Sequence, residues 1–95
     1  MTNSFNAAFI AVQAAADAAR RAESPRARPE QAATLLKASG YWSILADLIL
    51  RGARLPKAWV RSHCLQADLL AARALELAPA AHEDVIVAAL YTPAE

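Results

Sequence analysis

Apolar residues recur along the chain with the period of an α-helix. Near the N-terminus, Phe5, Phe9 and Val12 follow one another at steps of four and three residues, and Ala16 and Ala19 continue the same stripe. A period of 3.6 residues places such positions on one face of a helix. The pattern therefore predicts a first helix that begins near residue 3, ends near residue 23 and carries this stripe as its apolar face.

Proline and glycine positions divide the next part of the chain into two predicted helices. Residues 24–29, SPRARP, form a short exposed connector, and Pro29 suits the first turn of the helix that follows. Gly40 is predicted to end that helix, because glycine readily adopts the left-handed conformation found after helix ends. A third helix is predicted over residues 41–51, which are apolar on nearly every side and therefore belong in the core or in an interface.

The C-terminal part of the chain predicts a long helix and a short one. Gly52 ends the third helix, and Pro56 opens a fourth that is predicted over residues 56–78. At the rise of an α-helix this fourth helix would be about 34 Å long. A last helix is predicted over residues 81–91, and residues 92–95 are expected to fray as a tail.

The fourth predicted helix carries two apolar faces. One narrow face consists of small residues, namely Val60, Cys64, Ala67, Ala71, Ala74 and Ala78. Leu65 and Leu69 lie one turn apart on nearly the opposite side, and a single apolar stripe cannot bury both sets. Either the helix is packed on two sides within the fold, or Leu65 and Leu69 are offered to a partner or to a second copy of the chain.

Length and composition agree with this pattern. The chain has 95 residues, 57% of them hydrophobic, and contains only two glycines. Many of the hydrophobic residues are alanine, which has the highest helix propensity of all residues. We therefore predict an all-α fold, a compact single domain over residues 1–95 built as a bundle of about five helices.

Charge and cysteine content limit the partners and the compartment. Ten Lys and Arg residues against nine Asp and Glu residues give a net charge of +1, which is too balanced to indicate a polyanionic partner. The single cysteine, Cys64, excludes an intrachain disulfide. The N-terminal segment lacks the features of a secretory signal, and no apolar run approaches the length that spans a bilayer. A cytoplasmic protein without membrane contact is expected.

The chain contains no recognisable catalytic or cofactor-binding pattern. Two isolated glycines cannot form a phosphate-binding loop. His63 and Cys64 are adjacent, so they project about 100° apart on a helix and do not form a chelating pair. Asp47 has Arg51 four residues later, which indicates a local ion pair more than a catalytic carboxylate. We expect no catalytic residue, no metal site and no cofactor, and no small-molecule substrate is inferred.

Residues 51–61, RGARLPKAWVR, are the one local feature that indicates a function. The segment combines four cations with a tryptophan and contains no acid. Arginine and tryptophan are the residue types found most often at the energetic centre of protein interfaces. We therefore expect a small adaptor or inhibitor that occludes an acidic or mixed surface of a partner protein, with the following contact residues: Arg51, Arg54, Lys57, Trp59 and Arg61.

Two alternatives remain open for the same part of the chain. A helix, a short turn and a second helix also outline a helix-turn-helix DNA-binding protein that would act through residues 51–61, although the net charge disfavours it. Self-association through Leu65 and Leu69 is the other alternative. Among inhibitors, the small size and the lack of a catalytic motif are typical of phage-encoded inhibitors of host defence such as anti-CRISPR proteins.

Overall fold

The computed structural model describes residues 2–92, and its regular structure in that range is entirely α-helical. The helices are α1 (Thr2–Ala22), α2 (Pro29–Leu50), α3 (Lys57–Leu75) and α4 (His82–Tyr91). The all-α class is therefore confirmed for the described residues, but the predicted count of five helices is wrong, since the second and third predicted helices are one helix, α2. Of the predicted C-terminal tail, residues 93–95 lie outside the described residues. Within residues 2–92, no helix is long and apolar enough to cross a lipid bilayer.

Gly40 lies inside α2 and does not end a helix. It is exposed, and a methyl group on its Cα would meet no atom within 4 Å. A glycine inside a helix costs only about 1 kcal/mol relative to alanine. Leu35 before it and Trp42 after it are both buried on one face of α2, and full burial of one such side chain contributes about 1.5–3 kcal/mol. Burial of a continuous face therefore outweighs the low helix propensity of the glycine.

A residue in the left-handed conformation follows the end of both α2 and α3. Gly52, with φ 75°, confirms the predicted end after α2. α3 ends at Leu75, earlier than predicted, because Glu76 has φ 57° and the N–H of Leu77 bonds to the carbonyl of Ala72 at 3.0 Å. The predicted long fourth helix corresponds to α3, which has 19 residues and is shorter than α2 with 22.

α1 turns its alanines toward the core and its largest apolar side chains toward solvent. Phe5 and Phe9 are 65% and 54% exposed, and Val12 is exposed as well. The predicted apolar stripe is therefore not the core face. A face of alanines lets α2 approach closely, as shown by the Ser39 hydroxyl, which donates to the backbone carbonyl of Ala15 at 3.0 Å. The buried residues of α1 are Ala7, Ala8, Ala11, Ala15 and Ala18.

The large side chains of the core come from the other three helices. Trp42 of α2 is the largest fully buried side chain. It is joined by Leu45 from the same helix, by Val60 and Cys64 from α3, and by Ile86 from α4. Leu35 of α2 is the large side chain of a second, smaller cluster with Ala18, Ala38 and Ala74. Alanines of α1 therefore pack against bulky residues of its neighbours, and large and small side chains alternate across the core.

Neighbouring helices run antiparallel, and α4 closes the bundle against α1. Gln31 at the start of α2 donates to a backbone carbonyl at the end of α3 at 2.9 Å. Tyr91 at the end of α4 donates its hydroxyl to the carbonyl of Leu55, just before α3. The amide of Asn3 at the start of α1 donates to the carbonyl of Thr92, just after α4. The start of α1, the connector between α2 and α3, and the end of α4 therefore meet at one end of the bundle.

Candidate functional site

The basic segment, residues 51–61, forms the connector between α2 and α3 and the first turns of α3. Gly52 turns the chain out of α2, and residues 53–56 are not helical. Pro56, with φ −60° and ψ 140°, caps α3, and its carbonyl accepts the N–H of Val60 at 3.0 Å. The glycine and the proline thus determine the path of the backbone from which the basic side chains project.

The four cations of the segment differ in their partners. Arg51 pairs with Asp47 of α2 at 2.8 Å, as predicted from their spacing. Arg61 pairs with Asp84 of α4 at 3.1 Å. Lys57 places its Nζ 5.1 Å from the centre of the Tyr91 ring, a distance at which a cation is attracted to an aromatic face.

Arg54 and Lys57 are the cations of this segment that remain available for a partner. Neither forms a salt bridge with a carboxylate among residues 2–92, and both are exposed. Exposed ion pairs such as those of Arg51 and Arg61 contribute about 0–1 kcal/mol and exchange partners at little cost. Arg54 and Lys57 are therefore the two cations of this segment whose charge is not paired with a carboxylate within residues 2–92.

Trp59 lies on the other side of α3 from Lys57 and Arg61. Its ring stacks on His63, with 4.6 Å between centroids and 13° between planes. His63 in turn donates its Nε2 proton to the backbone carbonyl of Tyr41 in α2 at 2.8 Å. Trp59 thus faces α2 and is partly covered there, whereas Lys57 and Arg61 face α4. The five predicted contact residues surround the start of α3 and do not form one flat face.

Further exposed apolar side chains lie at the same end of the bundle. Leu50, the last residue of α2, is 63% exposed, and Phe5 lies within one turn of Asn3, which bonds to the end of α4. Sequence reasoning missed Phe5 and Leu50, because periodicity assigned Phe5 to a core stripe and placed Leu50 in a helix that is apolar all round. We call this end of the bundle the connector end; its exposed side chains include Phe5, Leu50, Arg51, Arg54, Lys57, Trp59, Arg61 and Tyr91.

Leu65 and Leu69 are both exposed on α3. The small face of the same helix is buried at Val60, Cys64 and Ala67. Of the two predicted arrangements for this helix, the structure shows the one in which the leucine pair is not covered within the described chain. Such a pair is available to a second copy or to a partner.

Asp68 of α3, a buried carboxylate, contacts the partly buried His82 of α4. Its Oδ1 accepts a hydrogen bond from His82 Nδ1 at 2.7 Å, and its Oδ2 accepts one from the backbone N–H of His82 at 3.2 Å. The carboxylate therefore holds the first residue of α4, where unpaired N–H groups and the helix dipole favour negative charge. Sequence reasoning missed Asp68, although its position four residues after Cys64, on the small-residue face, is a signal of burial.

The contact with Asp68 changes the acidity of His82. The hydrogen bond to the Asp68 carboxylate raises the pKa of His82 above 6.5, against the opposing effect of partial burial. The charges of Asp68 and Asp17 raise this pKa further. His82 is therefore protonated more readily than a free imidazole. Its ring also packs edge to face with the ring of Trp42, with 5.0 Å between ring centroids.

Cys64 is fully buried in the core. Burial, followed by the charges of Asp68 and Glu83, raises the pKa of its thiol to about 12. A thiol with such a pKa is almost entirely protonated near neutral pH and is a poor nucleophile. In the part of the chain that the structure describes, no group of three or more His, Cys, Asp and Glu side chains is arranged to hold a metal ion.

Comparisons of this chain with protein-family models, with curated proteins and with solved structures found no match. No relative therefore supplies a role for any of the residues described above.

Proposed function

We propose that this chain is a small non-enzymatic protein-interaction module that binds a partner protein through its connector end and occludes the bound surface. An adaptor or an inhibitor would act in this way, and a phage-type inhibitor of host defence such as an anti-CRISPR protein is one example. The proposed contact residues are the predicted set, Arg51, Arg54, Lys57, Trp59 and Arg61, to which Phe5 and Leu50 are added.

The observation that supports this proposal most is the combination of exposed apolar side chains and cations at the connector end. Phe5 and Leu50 each expose more than half of their surface, although a soluble chain gains by burying such side chains. Exposed apolar residues rimmed by charges are typical of protein interfaces. Trp59 adds an aromatic side chain whose energetic weight in interfaces is high.

Charge indicates the chemistry of the partner. At the connector end, Arg54 and Lys57 have no carboxylate partner among the described residues, and the nearby carboxylates of Asp47 and Asp84 are each paired with an arginine. The end therefore carries net positive charge around apolar side chains. A protein surface with an apolar centre and an acidic rim would be complementary to it.

Charge reversal at the connector end tests the proposal. The double variant Arg54→Glu and Lys57→Glu is compared with Arg26→Glu and Arg28→Glu, which reverses two exposed arginines of the connector between α1 and α2. Affinity purification with quantitative mass spectrometry should find a protein that the first variant loses and the control retains. Binding of that purified protein should then weaken with salt and with Phe5→Ala. A partner set that is the same for both variants would contradict the proposal.

DNA binding through the same segment is the alternative, since α2, the connector and α3 follow one another as in a helix-turn-helix protein. Size-exclusion chromatography with light scattering, on the protein mixed with a random DNA duplex, separates the two. A complex at low salt that dissociates at moderate salt would support the DNA hypothesis, because phosphate contacts release counterions. The protein-interaction proposal expects no such complex.

The same light-scattering run reports on self-association through the α3 leucines. A dimer that becomes a monomer in Leu65→Ser and Leu69→Ser would show that these residues bind a second copy. Both side chains are exposed in the described chain, so their replacement by serine should leave the helical content unchanged.

A further inference from the structure

A second candidate site lies away from the connector end, in a cleft between α1, α3 and the segment that joins α3 to α4. The cleft has a volume of about 440 Å³, which lies within the range of small-molecule binding sites. Its lining includes Leu35 and Trp42 of α2 and the contacting pair Asp68 and His82. Three charged residues of α1 also line it, namely Asp17, Arg20 and Arg21. It combines apolar walls with a few charged groups, as ligand sites usually do.

The carboxylates of the cleft are already occupied. Asp17 accepts one hydrogen bond from Arg20 at 2.5 Å and forms a salt bridge with Arg21 at 3.1 Å. Asp68 accepts two bonds from His82, one on each oxygen. Because an ionised carboxylate only accepts, His82 Nδ1 must be the donor in this contact.

The hydrogen-bonding capacity that remains free in the cleft consists mainly of donors. Each guanidinium of Arg20 and Arg21 has five N–H donors, and each uses a single nitrogen in its pair with Asp17. His82, whose Nδ1 is held by Asp68, has its Nε2 left, and this nitrogen is a donor when the ring is protonated. The raised pKa of His82 favours that state. With His82 protonated, the three cations exceed Asp17 and Asp68 by one charge, which suits one anionic group.

The walls of the cleft suit an apolar body. Leu75, Leu77 and several alanines line it, and Leu35 and Trp42 contribute only the small part of their surface that the fold leaves open. Leu77, just after α3, is 60% exposed, so a molecule in the cleft would cover a large apolar side chain that the fold leaves open. The Trp42 ring lies edge to face with His82, which places the apolar and the ionic parts of the cleft side by side.

We propose that this cleft binds a small monocarboxylate with an apolar body, its carboxylate held by His82 Nε2 and the guanidinium groups of Arg20 and Arg21 and its body lying against Leu75 and Leu77, beside the Trp42 ring. The site is separate from the connector end, so the two proposals stand or fall independently.

Nuclear magnetic resonance with octanoate as the probe tests this site directly. The chain has two tryptophans, and a Trp59→Phe variant assigns the remaining indole N–H signal to Trp42. Octanoate should shift the Trp42 signal saturably, while octanamide, which has the same body but no charge, should bind at least about ten-fold more weakly. No saturable shift at Trp42, a shift confined to Trp59, or equal affinity for the two probes would each overturn the proposal.

Two variants and a control locate the carboxylate. His82→Asn removes Nε2 but keeps a short donor toward Asp68, and Arg21→Gln removes one guanidinium from the cleft. Each should weaken octanoate binding about ten-fold and leave octanamide binding unchanged. Lys37→Gln removes one positive charge from an exposed residue of α2 outside the cleft, and octanoate should bind this control as it binds the wild type. The spectrum of each variant shows whether it is folded. Equal octanoate affinity in the wild type and all three variants would contradict the proposed position of the carboxylate.

Discussion

Two substitutions in α1, Ala11→Leu and Phe9→Ala, test which face of this helix the core uses. Ala11 is 0% exposed, and extra methylene groups in a well-packed core cost about 1–3 kcal/mol. Phe9 is 54% exposed, so its burial contributes slightly less than half of the roughly 1.5–3 kcal/mol that a fully buried phenylalanine contributes to stability. Alanine is also the better helix former by about 0.5 kcal/mol. Phe9→Ala should therefore destabilise the fold by only about 0.5 kcal/mol.

Urea unfolding followed by far-ultraviolet circular dichroism gives both free energies of unfolding. Ala11→Leu should lower the midpoint clearly, and in thermal unfolding each kcal/mol corresponds to about 4–8 °C in a domain of this size. Equal slopes of the unfolding curves would show that the transition itself is unchanged. If the phenylalanine stripe were the core face, Phe9→Ala would cost about 3–5 kcal/mol and Ala11→Leu almost nothing. That outcome would refute the placement of α1 described here.

Three further predictions follow from single sites. Because the pKa of His82 is raised in the folded state, its contact with Asp68 contributes its full stability below about pH 6.5, and this stability is lost as pH rises through the raised folded pKa. Urea unfolding at a series of pH values should show this decline for the wild type and should not show it for His82→Asn. Gly40→Ala should raise the free energy of unfolding by about 0.5–1 kcal/mol, since the site is helical and has free space around it. Gly52→Ala should lower the free energy of unfolding by about 1–2 kcal/mol, since residue 52 has φ 75°. A thermal shift of the opposite sign for either variant would contradict these predictions. Cys64, with a thiol pKa of about 12, should react with a thiol reagent such as DTNB only after unfolding in urea, and fast labelling of the native protein would show that the thiol is not enclosed in the core.

Local chemistry explains the features of this fold that could be predicted from the residues. Alanine content and helical periodicity indicated an all-α fold, because helix propensity and side-chain spacing act within a few residues along the chain. Pro29 at the start of α2, Pro56 before α3 and Gly52 after α2 all lie at helix boundaries, as predicted. The pairing of Arg51 with Asp47 is local in the same way, since one helical turn separates the two residues.

Competition between local and distant interactions explains the wrong helix boundaries. Gly40 was expected to end a helix but lies inside α2, whereas Glu76 was expected inside a helix but adopts the left-handed conformation that ends α3. At Gly40 the propensity difference is about 1 kcal/mol, and burial of Leu35 and Trp42 on the neighbouring face exceeds that amount. A rule that considers only adjacent residues cannot compare helix propensity with the free energy of burial against other helices.

Tertiary structure alone decides which face of a helix is covered and which residues from distant segments meet. Periodicity shows that Phe5 and Phe9 share a face, but close approach of α2 to the alanines of α1 determined that this face is the outer one. The contacts of Asn3 with Thr92, of Tyr91 with Leu55 and of Asp68 with His82 all require the antiparallel order of the helices. Contacts between residues far apart in the chain depend on the packing of whole helices, and neither spacing nor propensity carries that information.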